Sequence, residues 1–398
     1  MELIRGISGI RGIVEKTFNN SILSKYIQAF SILQGQGDIL IARDSRIHGK
    51  HFIELGCKEL QKYGRNIQNF GIIPTPTAQF LVEKKKLAGG IVITASHNPK
   101  EWNGLKFIDS NGCFLDAKKN IDLFKIADGQ LKQKRMSGKV YEMESGFLSH
   151  IDHTLNLSII DTSLIQKKKY NVVVDAVNGA ASKALPFMLE SLGCKVHRLH
   201  CNDNGIFPRG TEPLSHNLKK LSAKIIELGA DVGFATDPDG DRLAIIDENG
   251  NALGEEYTLT ICADGFFRVT DSKLPIVTNL STTMALDRIA NKYGSSVIRS
   301  AVGEINVVNK MKEVGALLGG EGNGGVILTE SHLGRDSLVG ATLFLNRMAQ
   351  TSDPVSNIFQ SMPQYTMLKD KIKIGTIDIH SIFEKIQRKF INASIDER

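Results

Sequence analysis

The 398-residue sequence predicts an α/β protein built from three similar α/β domains with a shorter C-terminal piece. Two observations predict it. Short β-branched runs alternate with longer segments of helical periodicity, the pattern of α/β units with largely parallel strands. One unit, an apolar strand followed by a small or polar turn and a helix, also recurs at "DILIARDSR" (38–46), "YNVVVDAVNGAAS" (170–182) and "LPIVTNLSTTMALD" (274–287). The copies are roughly a hundred residues or a little more apart, about the size of a compact domain.

Taken in order, the first domain is expected over residues 1–148, ending after the polar stretch "LKQKRMSGKVYEMESG". The second is expected over 149–254. The third is expected over 255–354, where "QTSDPVSN" collects turn formers of the kind found in linkers. Residues 355–398 then hold one expected strand in "QYTMLKDKIKIGT" and one expected helix over "DIHSIFEKIQRKF". That is too little chain to bury a core alone.

Composition narrows the function classes. Hydrophobic residues make up 41% and charged residues 23%, the balance of a globular rather than a disordered chain. A net charge of +6 suits phosphate-bearing ligands but is too dilute over this length to argue for nucleic acid. No apolar run approaches the ~18 residues of a membrane span, and "MELIRGISGIRG" lacks the features of a signal peptide. The expectation is a cytoplasmic protein, monomer or homodimer, with neither a membrane nor a nucleic acid as partner. Cysteines 57, 113, 194, 201 and 262 form no CxxC pair and are read as reduced, structural thiols.

Four loops carry chemistry. "IVITASHNPKEWNGLKFI" (91–108) reads as strand, polar loop and strand, with Lys106 expected at the start of the second strand. In that loop the Ser96 hydroxyl is a candidate covalent carrier, with His97 and Lys106 placed to activate it and offset charge. The alternative is a plain turn in which Ser96 and Asn98 bond to nearby backbone. The acyl-transfer elbow GxSxG is missing, since Ser96 lies between Ala95 and His97, so an acyl-transfer reading loses weight. "DVGFATDPDGDRLAIID" (231–247) sets Asp237, Asp239 and Asp241 at alternate positions, where they repel unless a cation sits among them. Oxygen-only ligands point to Mg²⁺, with Ca²⁺ or Mn²⁺ less favoured. An EF-hand fails, because its sixth position is Arg242 instead of Gly and its flanks read as strands. "LLGGEGNGGVIL" (317–328) places Glu321 and Asn323 in a Gly-rich connection that suits paired sugar hydroxyls and lacks the ending of a P-loop. "SGIRGI" (8–13) sets Arg11 between glycines, where its guanidinium can reach a phosphate.

Together "SGIRG", "TASHNP" with "NGLK", "DPDGDR" and "GGEGNGG", in that order over about residues 1–350, resemble the α-D-phosphohexomutase superfamily. The resemblance implies three α/β domains with mixed sheets around a central cleft and a smaller fourth domain. It implies a phosphohexomutase that interconverts hexose 1-phosphate and 6-phosphate through a phosphoserine and a bound hexose 1,6-bisphosphate. By position, Ser96 is similar to the phosphoserine, and Asp237, Asp239 and Asp241 to the ligands that complete a Mg²⁺ site with it. Lys106 is similar to the proposed general acid/base, His97 and Arg11 to groups around the phosphoserine, and Arg242 to a residue that helps hold the site and substrate. Glu321 and Asn323 match the sugar-binding loop, and Asn323 with its flanking glycines looks closer to phosphoglucosamine mutases than to phosphoglucomutases. Phosphomannomutase and phosphoglucomutase activities are the runner-up readings, and a truncated phosphosugar-binding chain without turnover is a third.

One departure stands out. The family's fourth-domain loop of the Arg-x-Ser-Gly-Thr-Glu-Pro kind has no counterpart after residue 354, so the fourth domain is expected to be incomplete. "PRGTEP" (208–213) lies in the second domain, resembles a different family segment, and is not assigned phosphate binding.

Overall fold

A computed structural model of the protein describes residues 2–131, 137–368 and 378–391. Its strands are β1 Ile4–Gly6, β2 Gly9–Ile13, β3 Ile39–Arg43, β4 Ile67–Ile72, β5 Gly89–Ile93, β6 Trp102–Asp109 and β7 Val140–Glu142 in a first sheet. A second sheet holds β8 Asn171–Asp175, β9 Lys195–Leu199, β10 Val232–Thr236 and β11 Leu243–Ile246. The third holds β12 Ile276–Asn279, β13 Val297–Ser300, β14 Leu318–Glu321 and β15 Gly325–Leu328. The expected unit appears in each sheet, with β3, β8 and β12 followed by a turn and then the helices Gly49–Lys62, Ala181–Ser191 and Ala285–Lys292.

All three sheets are mixed. Their orders are β1-β2-β6-β5-β3-β4-β7, β11-β10-β8-β9 and β13-β12-β14-β15. The central parallel strands are apolar throughout because helices cover both faces. In β3, Ile39 and Ile41 pack with Tyr26, Phe30 and Phe52 on one face, while Leu40 and Ala42 pack with Phe80 and Leu81 on the other. Helix starts follow local chemistry: Asn19 and Asp116 accept hydrogen bonds from Ile22 N and Lys119 N at the heads of Asn20–Leu33 and Ala117–Asp128.

The repeat suggests three independent cores, but the second and third sheets share one. The helix Ser337–Thr351 is apolar on nearly every side and packs against both Glu256–Val269 and Ala181–Ser191. A helix without a polar face has to be buried all round, and the junction of two sheets provides that. The stretch 350–357, expected as a linker, instead ends that helix and starts another, Val355–Gln360, whose Val355 and Ile358 join the same core. The expected C-terminal helix is present as Ile379–Lys389. Residues 369–376 of the expected strand before it lie outside the described residues, and 364–368 carry no strand.

One topological feature positions the chemistry. In each sheet a functional loop joins the strand pair at which parallel pairing gives way to antiparallel: β5 to β6, β10 to β11 and β14 to β15. The three loops meet between the sheets.

Candidate active site

The serine loop follows β5. Ser96 adopts φ +48°, a left-handed backbone uncommon for a residue with a side chain. Its N–H donates to Thr94 Oγ1 at 2.8 Å. The Ser96 hydroxyl donates to Asp237 Oδ2 at 3.2 Å and lies 3.4 Å from His97 Nδ1. Arg11 on β2 donates to Asn98 Oδ1 at 3.0 Å. Its strand lies so close to β6 that a Cβ at Gly104 would stand 2.2 Å from Ile10 O, which explains the glycine of "NGLK". Lys106 is in the middle of β6, paired with Val92, and not at the strand's start as expected. The strand begins four residues earlier because Trp102 already pairs with Ile13. A cavity of about 200 Å³ lined by Gly9, Arg11, Ser96 and Lys106 opens beside the hydroxyl.

The aspartate loop lies against it. Asp237, Asp239 and Asp241 are fully buried, with one carboxylate oxygen from each within 4.8 Å of the others. Lys106 Nζ donates to Asp239 Oδ2 at 2.7 Å and Asp241 Oδ2 at 3.0 Å. Thr75 Oγ1 donates to Asp239 Oδ2 at 2.7 Å, and Arg335 Nη2 to Asp241 Oδ2 at 2.7 Å. Burial, then the charges of Asp241 and Asp239, push the Asp237 carboxyl far above the usual range. Burial would raise Asp239 as well, but Lys106 overcomes it and holds that carboxylate low; Arg335 does the same for Asp241. For Lys106, burial alone would lower the ammonium, and Asp239 and then Asp241 hold it above the ordinary lysine range instead.

Even so, Asp239 Oδ1 and Asp241 Oδ1 are buried and make no hydrogen bond. Orphaned carboxylate oxygens in an all-oxygen donor set fit a hard divalent cation. The three aspartates form an acidic metal-binding site.

His97 is neutral. Burial, with the charge of Arg242, depresses its imidazole to about 3. Arg242 Nη2 donates to His97 Nδ1 at 2.9 Å, which leaves the ring proton on Nε2, 3.8 Å from Glu212 Oε1. That approach is therefore a contact of a neutral ring with a carboxylate, not an ion pair. Arg242 Nη1 stands 3.4 Å from the same Glu212 oxygen. Thr211 Oγ1 donates to the carbonyl of His97, while Arg209 is spent on Asp175 and on the carbonyl of Thr236. The segment 208–213 thus straps the second sheet to the serine loop.

In the third sheet Glu321 closes β14 and Asn323 occupies the tight turn to β15. Glu321 is fully engaged: Oε1 accepts from Asn279 Nδ2 at 2.6 Å and Gly303 N at 3.2 Å, and Oε2 from Arg335 Nη1 at 2.6 Å and Asn323 Nδ2 at 3.2 Å. Arg335 also donates from Nε to Glu304 Oε2 at 3.0 Å. One buried guanidinium therefore ties the sugar-type loop to the aspartate loop.

Three family models match the chain: Phosphoglucomutase/phosphomannomutase, alpha/beta/alpha domain I over residues 2–133, domain II over 147–250 and domain III over 254–365. The chain belongs to this family. It is 34% identical over 375 residues to a phosphoglucomutase/phosphomannomutase of Thermococcus kodakarensis, covering 92% of this chain and 81% of that one. It is 27% identical over 399 residues to a phosphoglucosamine/phosphogalactosamine mutase of Sulfurisphaera tokodaii, covering 98% and 87%. Among solved structures, a phosphoglucomutase/phosphomannomutase family protein of Burkholderia thailandensis superposes with a TM-score of 0.80 at 25% identity, covering 90% of this chain and 79% of that one. As a phosphoglucomutase/phosphomannomutase family member, the chain is an enzyme of the phosphohexomutase class.

The site of this family member brings together Arg11, Ser96, His97, Lys106, Asp237, Asp239, Asp241 and Arg242, with Glu321 and Asn323 one guanidinium away. Sequence reading missed Arg335, Glu304 and Glu212. Arg335 had only a faint signal, a charged Arg335-Asp336 pair directly before the apolar helix Ser337–Thr351. Glu304 and Glu212 had none, because their roles depend on contacts between sheets.

Proposed function

We propose that the chain interconverts a hexose 1-phosphate and the corresponding 6-phosphate, with Ser96 as the phosphoryl carrier and glucosamine phosphate as the preferred substrate. The observation that carries the reading is the Ser96 hydroxyl 3.2 Å from Asp237, beside a buried acidic triad with two unbonded oxygens. In this reading Asp237, Asp239 and Asp241 hold Mg²⁺ together with the phosphoserine. When bound, the ion supplies Lewis-acid neutralisation of phosphoryl charge.

Transfer begins when the free hydroxyl oxygen of the hexose phosphate bonds to the phosphorus on Ser96 and the P–Oγ bond breaks. The hydroxyl loses its proton and Oγ gains one. Lys106, held as an ammonium by its two carboxylates, gives a proton to the leaving Oγ and is restored by the proton that the attacking sugar hydroxyl releases. The resulting hexose 1,6-bisphosphate turns round, and Oγ takes the other phosphate with the proton movements reversed; the same bisphosphate supplied from outside primes the serine. Arg11 and Arg242 place two guanidinium charges around the serine loop, where they attract the phosphoryl group. Neutral His97 accepts from Arg242 and so fixes that guanidinium beside Ser96. Glu321 and Asn323 bind sugar hydroxyls, which requires the substrate to replace part of the hydrogen bonding that Glu321 now makes.

Asn323 between glycines supports glucosamine phosphate. A second reading, glucose and mannose phosphates, is supported by the 34% identity to the Thermococcus kodakarensis relative of that name. Replacing Ser96 by Ala tests the shared core of both. The variant should keep its fold by circular dichroism, lose turnover and fail to take up a phosphoryl group from hexose 1,6-bisphosphate. Full activity in Ser96→Ala would overturn the proposal.

A further inference from the structure

Both backbone groups of Ser96 are held from one point. Its N–H donates to Thr94 Oγ1, and that hydroxyl donates to Asp44 Oδ2 at 2.6 Å. Asp44 in turn fixes Arg46, accepting from its Nε at Oδ2 and from its backbone N–H at Oδ1, each at 3.0 Å. The Arg46 guanidinium then returns to the serine loop. Nη2 donates to the carbonyls of Ser96 at 2.6 Å and Asn98 at 2.7 Å, and Nη1 to those of Pro99 at 2.6 Å and Trp102 at 3.0 Å. All five guanidinium N–H groups are used, and the residue is 1% exposed. The ring of Phe207, from the second-sheet segment, covers the guanidinium at 5.2 Å.

Four carbonyl oxygens gathered on one planar cation cannot turn toward Ser96 Oγ. This matters for a residue that carries a phosphoryl group of about two negative charges, which exposed carbonyl oxygens would repel. It also holds a left-handed backbone that Ser96 would not adopt unaided. We propose that Arg46 is a positioning residue for phosphoryl transfer, fixing the serine loop so that Oγ keeps its aim at the acidic triad whether or not it is phosphorylated. The inference rests on the reading of Ser96 as carrier.

Arg46→Lys keeps the charge but has three donors and no planar fork, so it cannot hold four carbonyls. The folded variant should lose about a hundredfold in kcat, as expected when a reacting atom is misplaced by about an ångström. KM for the hexose phosphate should stay within about twofold. Phosphoryl uptake at Ser96 from hexose 1,6-bisphosphate should slow in step, and added guanidinium ion should restore part of the kcat of Arg46→Ala. A role in stability alone would lower the melting temperature and leave kcat intact, and wild-type kcat in folded Arg46→Lys overturns the inference. If that variant does not fold, Asp44→Asn carries the same test, with a kcat loss at unchanged KM expected and wild-type kcat contradicting it. The unmutated chain runs in parallel: its failure to turn over would sink the reading of Ser96, whereas an active parent with fully active variants sinks only the role of Arg46.

Discussion

Two buried acidic sites in this molecule are finished differently. Asp264, inside the helix Glu256–Val269, has both oxygens taken: Oδ2 accepts from Arg347 Nε at 2.6 Å and Arg268 Nε at 2.9 Å, and Oδ1 from Tyr293 OH at 2.8 Å and Lys292 Nζ at 3.2 Å. The Asp237–Asp239–Asp241 loop crowds three carboxylates together and leaves two oxygens without a hydrogen bond. One network is closed and stabilises the packing of two helices. The other keeps two buried carboxylate oxygens free of hydrogen bonds, a donor set that suits a hard cation. Completeness of hydrogen bonding, more than burial or charge, separates a structural carboxylate from a functional one here.

The comparison breaks most visibly at Asp264. Asp264→Asn strands the buried guanidinium of Arg347, and unfolding by denaturant should show a loss of about 3–5 kcal/mol with kcat of the folded enzyme unchanged. Asp237→Asn should do the reverse. It removes a charge that its neighbours oppose, so the melting temperature should hold or rise, while kcat falls by about a hundredfold or more. Loss of stability in the second variant and of activity in the first would refute the distinction. The smallest effect is at His97. With its folded value near 3 against an ordinary value of about 6.5, the unfolded chain takes up the proton first as pH falls. Its contribution therefore favours the fold at neutral pH and is lost progressively from about 6.5 downward. Nitrogen-15 NMR of the imidazole should show a neutral ring, protonated at Nε2, from pH 8 to 5, and titration near 6.5 would contradict the geometry.

Much of this arrangement was legible in the sequence because its signals are local. Alternating Asp237, Asp239 and Asp241 across a Pro-Gly turn announce a cation site without any knowledge of the fold, and Ser96 stands out in a polar loop between apolar strands. The repeated strand–turn–helix unit gave the three sheets for the same reason. What was not legible depends on distance along the chain. Arg335 is 94 residues from the aspartate it pairs with, and Arg46 is 50 residues from the serine whose carbonyl it holds. Nor does a period announce that the helix Ser337–Thr351 fuses two cores, since an apolar helix names no partner.

The most direct test of the central claim is phosphorus-31 NMR of the chain with Mg²⁺, a trace of hexose 1,6-bisphosphate and, in separate tubes, the 1-phosphates of glucosamine, glucose and mannose. Conversion to the 6-phosphates is expected, fastest for glucosamine phosphate. No conversion of any of the three, by a folded chain that still binds them, would contradict that claim.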